Sequence, residues 1–225
     1  MGNKSAYWTD LADYDIETAR AMLQTGRYLY VGFMCHQAVE KALKAVIAGA
    51  GASPPKIHGL MKLARQGEIY NSMNEEQKDL LDTLDPLNIA TRYPEQRAKS
   101  KARVHAHAGA MRGYFSGNRG IAVLDKATAI DLAQRYAFEV EKFLKPRAIV
   151  LYGSYANGTA SEYSDIDIAV ILDGFSGDYL ETSKQLYKLR RNISADIEPV
   201  LLDSTLDENG FVAEVLRTGQ VLRNH

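Results

Sequence analysis

Apolar residues recur every three or four positions through the first two thirds of this chain, then give way to short, mostly apolar runs after Pro146. Trp8, Leu11, Ala12, Ile16, Ala19, Met22 and Leu23 follow the helical rhythm, interrupted only by Asp15. Val31, Met34, Cys35, Ala38, Val39, Ala42, Leu43 and Val46 repeat it until Gly49 to Pro55 stops the helix. A shorter helix is predicted from His58 to Gln66. Another starts at Asn74, whose side chain can cap the amides of Glu75, Glu76 and Gln77, and runs to Asp85-Pro86, where proline should end or kink it. A last long helix, Lys126 to Lys145, presents Ile130, Ala133, Tyr136, Ala137, Val140, Phe143 and Leu144 on one side. Together these predict an antiparallel helical bundle.

After Pro146 the period changes. Ala148 to Tyr152, Ile166 to Leu172 and Ala195 to Leu202 are short apolar runs that read as strands. Helices are expected at Leu180 to Asn192 and Glu208 to Thr218, with a short strand at Gln220 to Leu222. Strands alternating with helices predict a small α/β domain with a mixed sheet. The whole is then an α+β protein, a bundle at 1–145 followed by an α/β domain at 146–225, with Lys145-Pro146 as the seam.

Composition narrows the setting. The chain of 225 residues is 46% hydrophobic and 24% charged, as in ordinary globular proteins. No run of about eighteen apolar residues offers a membrane span, and the N-terminal residues lack a signal-peptide apolar core. A single cysteine, Cys35, excludes an internal disulfide framework and a cysteine-based zinc site. A cytoplasmic location is the simplest expectation. Charge is uneven: residues 1–145 carry 20 Lys and Arg against 16 Asp and Glu, while residues 146–225 carry 7 against 12. An acidic half fits a metal or a substrate that offsets its charge, or docking onto the basic half. Between Gln96 and Leu124 no acidic residue occurs, while Arg97, Lys99, Lys101, Arg103, Arg112, Arg119, His105 and His107 do. This stretch, 97–119, reads as a mobile surface loop, or as one that engages the phosphate of a nucleotide or of RNA.

The strongest chemical signal is Gly153-Ser154, ten intervening residues, then Asp165-Ile166-Asp167. Residues two apart on a strand share a face, so Asp165 and Asp167 point together while Ile166 and Ile168 point into a core. Two adjacent carboxylates on a half-buried strand repel and resist desolvation, and a divalent cation removes both objections. Magnesium favours a few carboxylates with water and phosphate oxygens, and two such ions can hold the attacking and leaving oxygens of a displacement at phosphorus. Glycine permits close backbone approach, and the Ser154 hydroxyl and following amides can donate to phosphate. A third carboxylate is expected from a neighbouring strand. Asp196 and Glu198 both qualify by the period of two, with Asp196 the first choice and Glu198 the fallback, as metal ligand or general base.

The segment from Gly153 to Ala160, followed by Ser164 to Val170, resembles the signature of the minimal nucleotidyltransferases of the DNA polymerase beta superfamily, over residues 146–225. The resemblance implies that Gly153 and Ser154 contact a triphosphate, that Asp165 and Asp167 bind magnesium, and that Asp196 is the third acidic residue. The implied reaction is transfer of AMP from ATP, with two magnesium ions, to a hydroxyl of a small molecule or of a protein tyrosine, releasing pyrophosphate.

The helical half is similar to the HEPN family (higher eukaryote and prokaryote nucleotide-binding domains), over roughly residues 5–145. Cys35 to Ala45 looks like its central helix, His58-Gly59-Leu60 the start of its next, and Arg92-Tyr93-Pro94 its exit. The resemblance implies homodimers through the helical domain and an alternative role as a toxin–antitoxin module. There the HEPN half would bind or cleave RNA under control of the transferase half, with Tyr93 and Tyr114 as candidate acceptors. Ribonuclease members carry arginine, four to six residues, then histidine. Here Arg97 and His105 have seven residues between them and Arg103 and His107 three, which counts against ribonuclease chemistry. His36 and Glu40, one helical turn apart, are expected to form a hydrogen-bonded pair packed in the bundle or to line a nucleotide pocket.

Overall fold

A computed structural model describes residues 4–90, 124–161, 164–208 and 210–224. These residues fall into two compact units on either side of the undescribed stretch 91–123.

The first unit is helical: α1 (Lys4–Gln24), α2 (Tyr28–Gly49), α3 (Leu60–Gln66) and α4 (Glu75–Ala90). Helices α1 and α2 form a hairpin whose apolar stripes meet at Ala12, Ala19, Val31, Val39, Leu43 and Val46. Asp15, the one charge in the first stripe, is buried because the Lys41 ammonium of α2 reaches it. Helix α4 buries Leu80, Leu81, Leu84 and Leu87. At Gly32 of α2 a Cβ would stand 2.6 Å from Leu87 Cδ1, so glycine is what lets Leu87 approach. Asn74 and Gln77 exchange hydrogen bonds, each backbone N–H donating to the other's side chain at 2.9 Å, which starts α4 with a capping box. Pro86 does not end this helix, which continues to Ala90. Proline removes one intrahelical bond at a cost of about 3 kcal/mol, and the buried leucines on both sides of it outweigh that.

The second unit begins with α5 (Lys126–Phe143), followed by β1 (Ala148–Leu151), α6 (Gly153–Asn157), β2 (Ile166–Leu172), α7 (Tyr179–Leu189), β3 (Ile197–Asp203), α8 (Phe211–Thr218) and β4 (Gln220–Asn224). The sheet order is β3-β2-β1-β4, with β2 and β3 parallel and the other pairs antiparallel, so it is mixed as expected. Strands β1 and β2 form its centre, with all of β1 and all of β2 except Asp167 and Leu172 buried.

Helix α5 departs from expectation. Its periodicity groups it with the preceding helices, yet it packs on the sheet and α7. Ala129, Ala133, Tyr136, Ala137 and Val140 are buried there, and the Tyr136 hydroxyl donates to Leu186 O of α7 at 2.8 Å. Arg223 of β4 also pairs with Glu141 at 3.0 Å. The compact units therefore divide before α5 rather than at Lys145-Pro146. A helical period shows which face is buried but not what buries it. Among the described residues no helix is long and apolar enough to cross a membrane.

A fragment comprising residues 122–225 should unfold in one cooperative transition in urea followed by circular dichroism. A fragment of 146–225, lacking α5, should show no such transition. Equal cooperativity in both would show that α5 is dispensable to the second unit.

Candidate active site

Strand β1 runs antiparallel to β2 with Leu151 opposite Ile168, and Tyr152 N donates to Asp167 O at 3.0 Å, carrying the pairing one residue past the strand. The chain then turns sharply. Gly153 has φ +68°, a conformation that costs any residue with a Cβ, and it opens the short helix α6. Crowding is the second reason for glycine: a Cβ here would stand 2.1 Å from Asp167 Oδ2 and 3.0 Å from its Cγ. The backbone at Gly153 thus lies directly against the Asp167 carboxylate. Thr159 N donates back to Ser154 O at 2.9 Å, and Gly158, left-handed at φ +73°, closes the turn.

Asp165 sits just before β2 and Asp167 within it. Burial, and after it the charge of Asp165, together raise the Asp167 pKa to about 7. Both effects oppose the charged form, as the sequence reading of the pair anticipated.

The parallel register between β2 and β3 sets Asp167 beside Glu198 and Ile166 beside Ile197. Ile166 N donates to Asp196 O at 2.7 Å. Asp196 itself lies in the turn before β3, where strand alternation does not apply. Its carboxylate accepts from the Ser194 hydroxyl at 3.0 Å, and its N–H donates to the same oxygen at 3.1 Å. Arg190, buried after α7, donates from Nη1 to Ile197 O at 2.7 Å and so fixes where β3 begins. Of the two candidates for a third carboxylate, Glu198 is therefore the one in register with Asp167. Ser194 was missed in the sequence because a serine before a strand carries no distinguishing pattern.

Among the described residues no three His, Cys, Asp or Glu side chains form a group able to hold a metal by themselves. That is compatible with magnesium, which takes one or two carboxylates and completes its shell with water and phosphate oxygens. The crowded pair Asp165 and Asp167, with one carboxyl pushed up toward neutrality, fits such an ion.

In the helical unit His36 and Glu40 are buried as expected but do not bond to each other. His36 Nε2 lies 3.4 Å from Asp85 Oδ1, which also accepts from Leu60 N at 2.9 Å. Glu40 accepts from Lys44 Nζ at 2.7 Å and meets His58 Nδ1 at 3.0 Å. Burial pushes the Glu40 pKa up, but hydrogen bonds and charge from His58 and Lys44 more than offset it and leave the carboxyl below its ordinary range. The two residues are thus cross-links among α2, α4 and the start of α3. The basic stretch 97–119, Tyr93 and Tyr114 lie outside the described residues.

Two family models match the chain. The HEPN domain model matches residues 5–111, and the polymerase beta nucleotidyltransferase model matches residues 137–225. Among solved structures, a candidate nucleotidyltransferase from Sulfolobus solfataricus aligns at 22% identity over 45% of this chain and 90% of its own, with a TM-score of 0.32. No curated protein matches.

The contact between Gly153 and Asp167 is testable by a double-variant cycle. Gly153→Ala should destabilise the protein by about 3 kcal/mol, combining a positive-φ cost of roughly 1–2 kcal/mol with the clash. In an Asp167→Ala background only the positive-φ part should remain. Additive effects would show that the two residues do not touch.

Titration supplies a second test. The folded Asp167 pKa, about 7, lies above the ordinary carboxylate value. The folded state therefore holds a proton that the unfolded chain has already lost, and this contribution to stability declines as pH rises from about 4 through 7. In chelator, wild-type melting temperature should fall relative to Asp167→Asn between pH 5 and pH 8. Parallel curves would show an ordinary Asp167.

Proposed function

From a chain that joins an HEPN domain to a polymerase beta-type nucleotidyltransferase domain, we propose a magnesium-dependent enzyme that transfers AMP from ATP to a hydroxyl of a small molecule or of a protein tyrosine. The observation that carries this reading is the Asp167 carboxylate, half-buried beside Asp165 and pressed against the backbone of Gly153. A carboxyl held in that way is costly to ionise unless a cation shares the site.

Asp165 and Asp167 would hold magnesium, which when bound would neutralise charge on the triphosphate. Gly153 brings backbone close to the phosphates because it has no side chain, and the Ser154 hydroxyl donates to a phosphate oxygen. These two residues orient the triphosphate so that the bond between the α-phosphorus and its bridging oxygen points away from the acceptor. The acceptor oxygen forms a bond to the α-phosphorus, the bridging bond breaks, and pyrophosphate leaves. The acceptor's proton passes to a carboxylate at the β3 edge. Glu198 is assigned that role because it is in register with Asp167. Asp196, held by Ser194, shapes the turn that delivers Glu198.

The test is incubation of the protein with magnesium and α-labelled ATP, alone and with candidate hydroxyl acceptors. Label should move to protein or small molecule with the wild type and not with the Asp165→Ala/Asp167→Ala double variant. Glu198→Gln should lower the rate about a hundredfold or more, and Asp196→Asn by less. Equal transfer by wild type and double variant would overturn the proposal, and a larger loss at Asp196 would reverse the assignment of the base.

A further inference from the structure

Beyond the acids, the face that carries Asp167 bears an aromatic pair. Cross-strand partners point to the same side of a sheet, and Tyr152 pairs with Asp167 through its N–H at 3.0 Å. Tyr152, Asp167 and Glu198 therefore form a row across three strands, with the tyrosine on the side of Asp167 away from β3. The Tyr152 ring meets that of Phe211 edge to face, with centroids 5.9 Å apart and planes at 85°. Both residues are only half-buried.

Phe211 is the first residue of α8, but other groups hold that helix in place. Asp207 accepts from Val212 N at 2.9 Å and Ala213 N at 3.0 Å, while Val212 and Val215 are buried. The phenylalanine ring is thus placed by its helix without being needed to anchor it.

We propose that Tyr152 and Phe211 form the surface on which the base of the nucleoside triphosphate stacks. This rests on the proposed function, since it takes the triphosphate to lie at Gly153 and Ser154. A phosphate chain there leaves the base within a nucleotide's length of the residue immediately preceding the glycine. An edge-to-face pair leaves ring surface that the two aromatics do not cover for each other, and base stacking on such a surface is favourable. The position also leaves the opposite side of Asp167, at β3, for the acceptor hydroxyl. Every base has a π-face, so the pair selects a nucleotide over bare phosphate rather than one base over another.

The experiment measures binding of ATP, GTP and inorganic tripolyphosphate in magnesium by titration calorimetry. The wild type should bind ATP and GTP about tenfold or more tightly than tripolyphosphate. Phe211→Ala and Tyr152→Leu should bring both nucleotides down toward tripolyphosphate while leaving tripolyphosphate binding unchanged, which also reports an intact fold. Phe211→Tyr should keep the preference. Unchanged nucleotide preference in the alanine and leucine variants overturns the stacking surface and leaves the proposed function standing. Loss of tripolyphosphate binding in Phe211→Ala overturns it as well, because the ring would then support the phosphate cradle. Binding of none of the three ligands by the wild type overturns the proposed function and this inference together.

Discussion

The second unit is organised around one contact, the Asp167 carboxylate against the backbone of Gly153. Asp165 stands two residues away with the same charge, and burial makes the ionised form of Asp167 costly. An arrangement like this opposes folding, so the surrounding structure must impose it. The buried centre of the sheet does so: β1 and β2 are paired along their length with fully buried aliphatic residues, and the Tyr152–Asp167 hydrogen bond continues that pairing to the site. The glycine is then required twice, by its positive φ and by the space the carboxylate occupies.

The helical unit also buries charge, with a different outcome. Asp15 is met by Lys41, Glu40 by Lys44 and His58, and Asp85 by His36 and a backbone amide. Hydrogen bonds and charge from His58, just before α3, and from Lys44, one turn along α2, lower the Glu40 pKa despite its burial, whereas burial and a like charge raise that of Asp167. The first pattern fixes the register of one helix on another. The second creates a demand that a ligand can meet. That contrast separates the structural charges of this chain from the candidate chemical ones more sharply than residue type does.

Support for the site comes from behind the sheet. Tyr136 of α5 bonds to Leu186 of α7, and Arg190 at the end of that helical stretch bonds to Ile197 at the start of β3. A chain of buried polar contacts thus runs from α5 to the strand that carries Glu198. The position of this carboxylate beside Asp167 depends on the parallel pairing that these contacts lock.

The sequence by itself determined the two kinds of architecture, nearly all the elements, and the pair Asp165 and Asp167 with its Gly153-Ser154 partner. Those features are local: a period of 3.6 or 2, a capping residue, a glycine and a short spacing each act over a few residues. Ile166–Leu172 was legible to the residue because, Asp167 apart, it is an apolar run flanked by Asp165 and Asp173. What the tertiary structure decided was every question of partnership. Helix α5 belongs with the sheet, Pro86 lies within a continuing helix, and His36 and Glu40 bond to other helices rather than to each other. Glu198 rather than Asp196 stands beside Asp167, and Tyr152 and Phe211 meet although 58 positions separate them in sequence. Strand register and helix docking are set by the packing of residues far apart in the chain, and no local pattern encodes which distant surface will supply the other half of a contact.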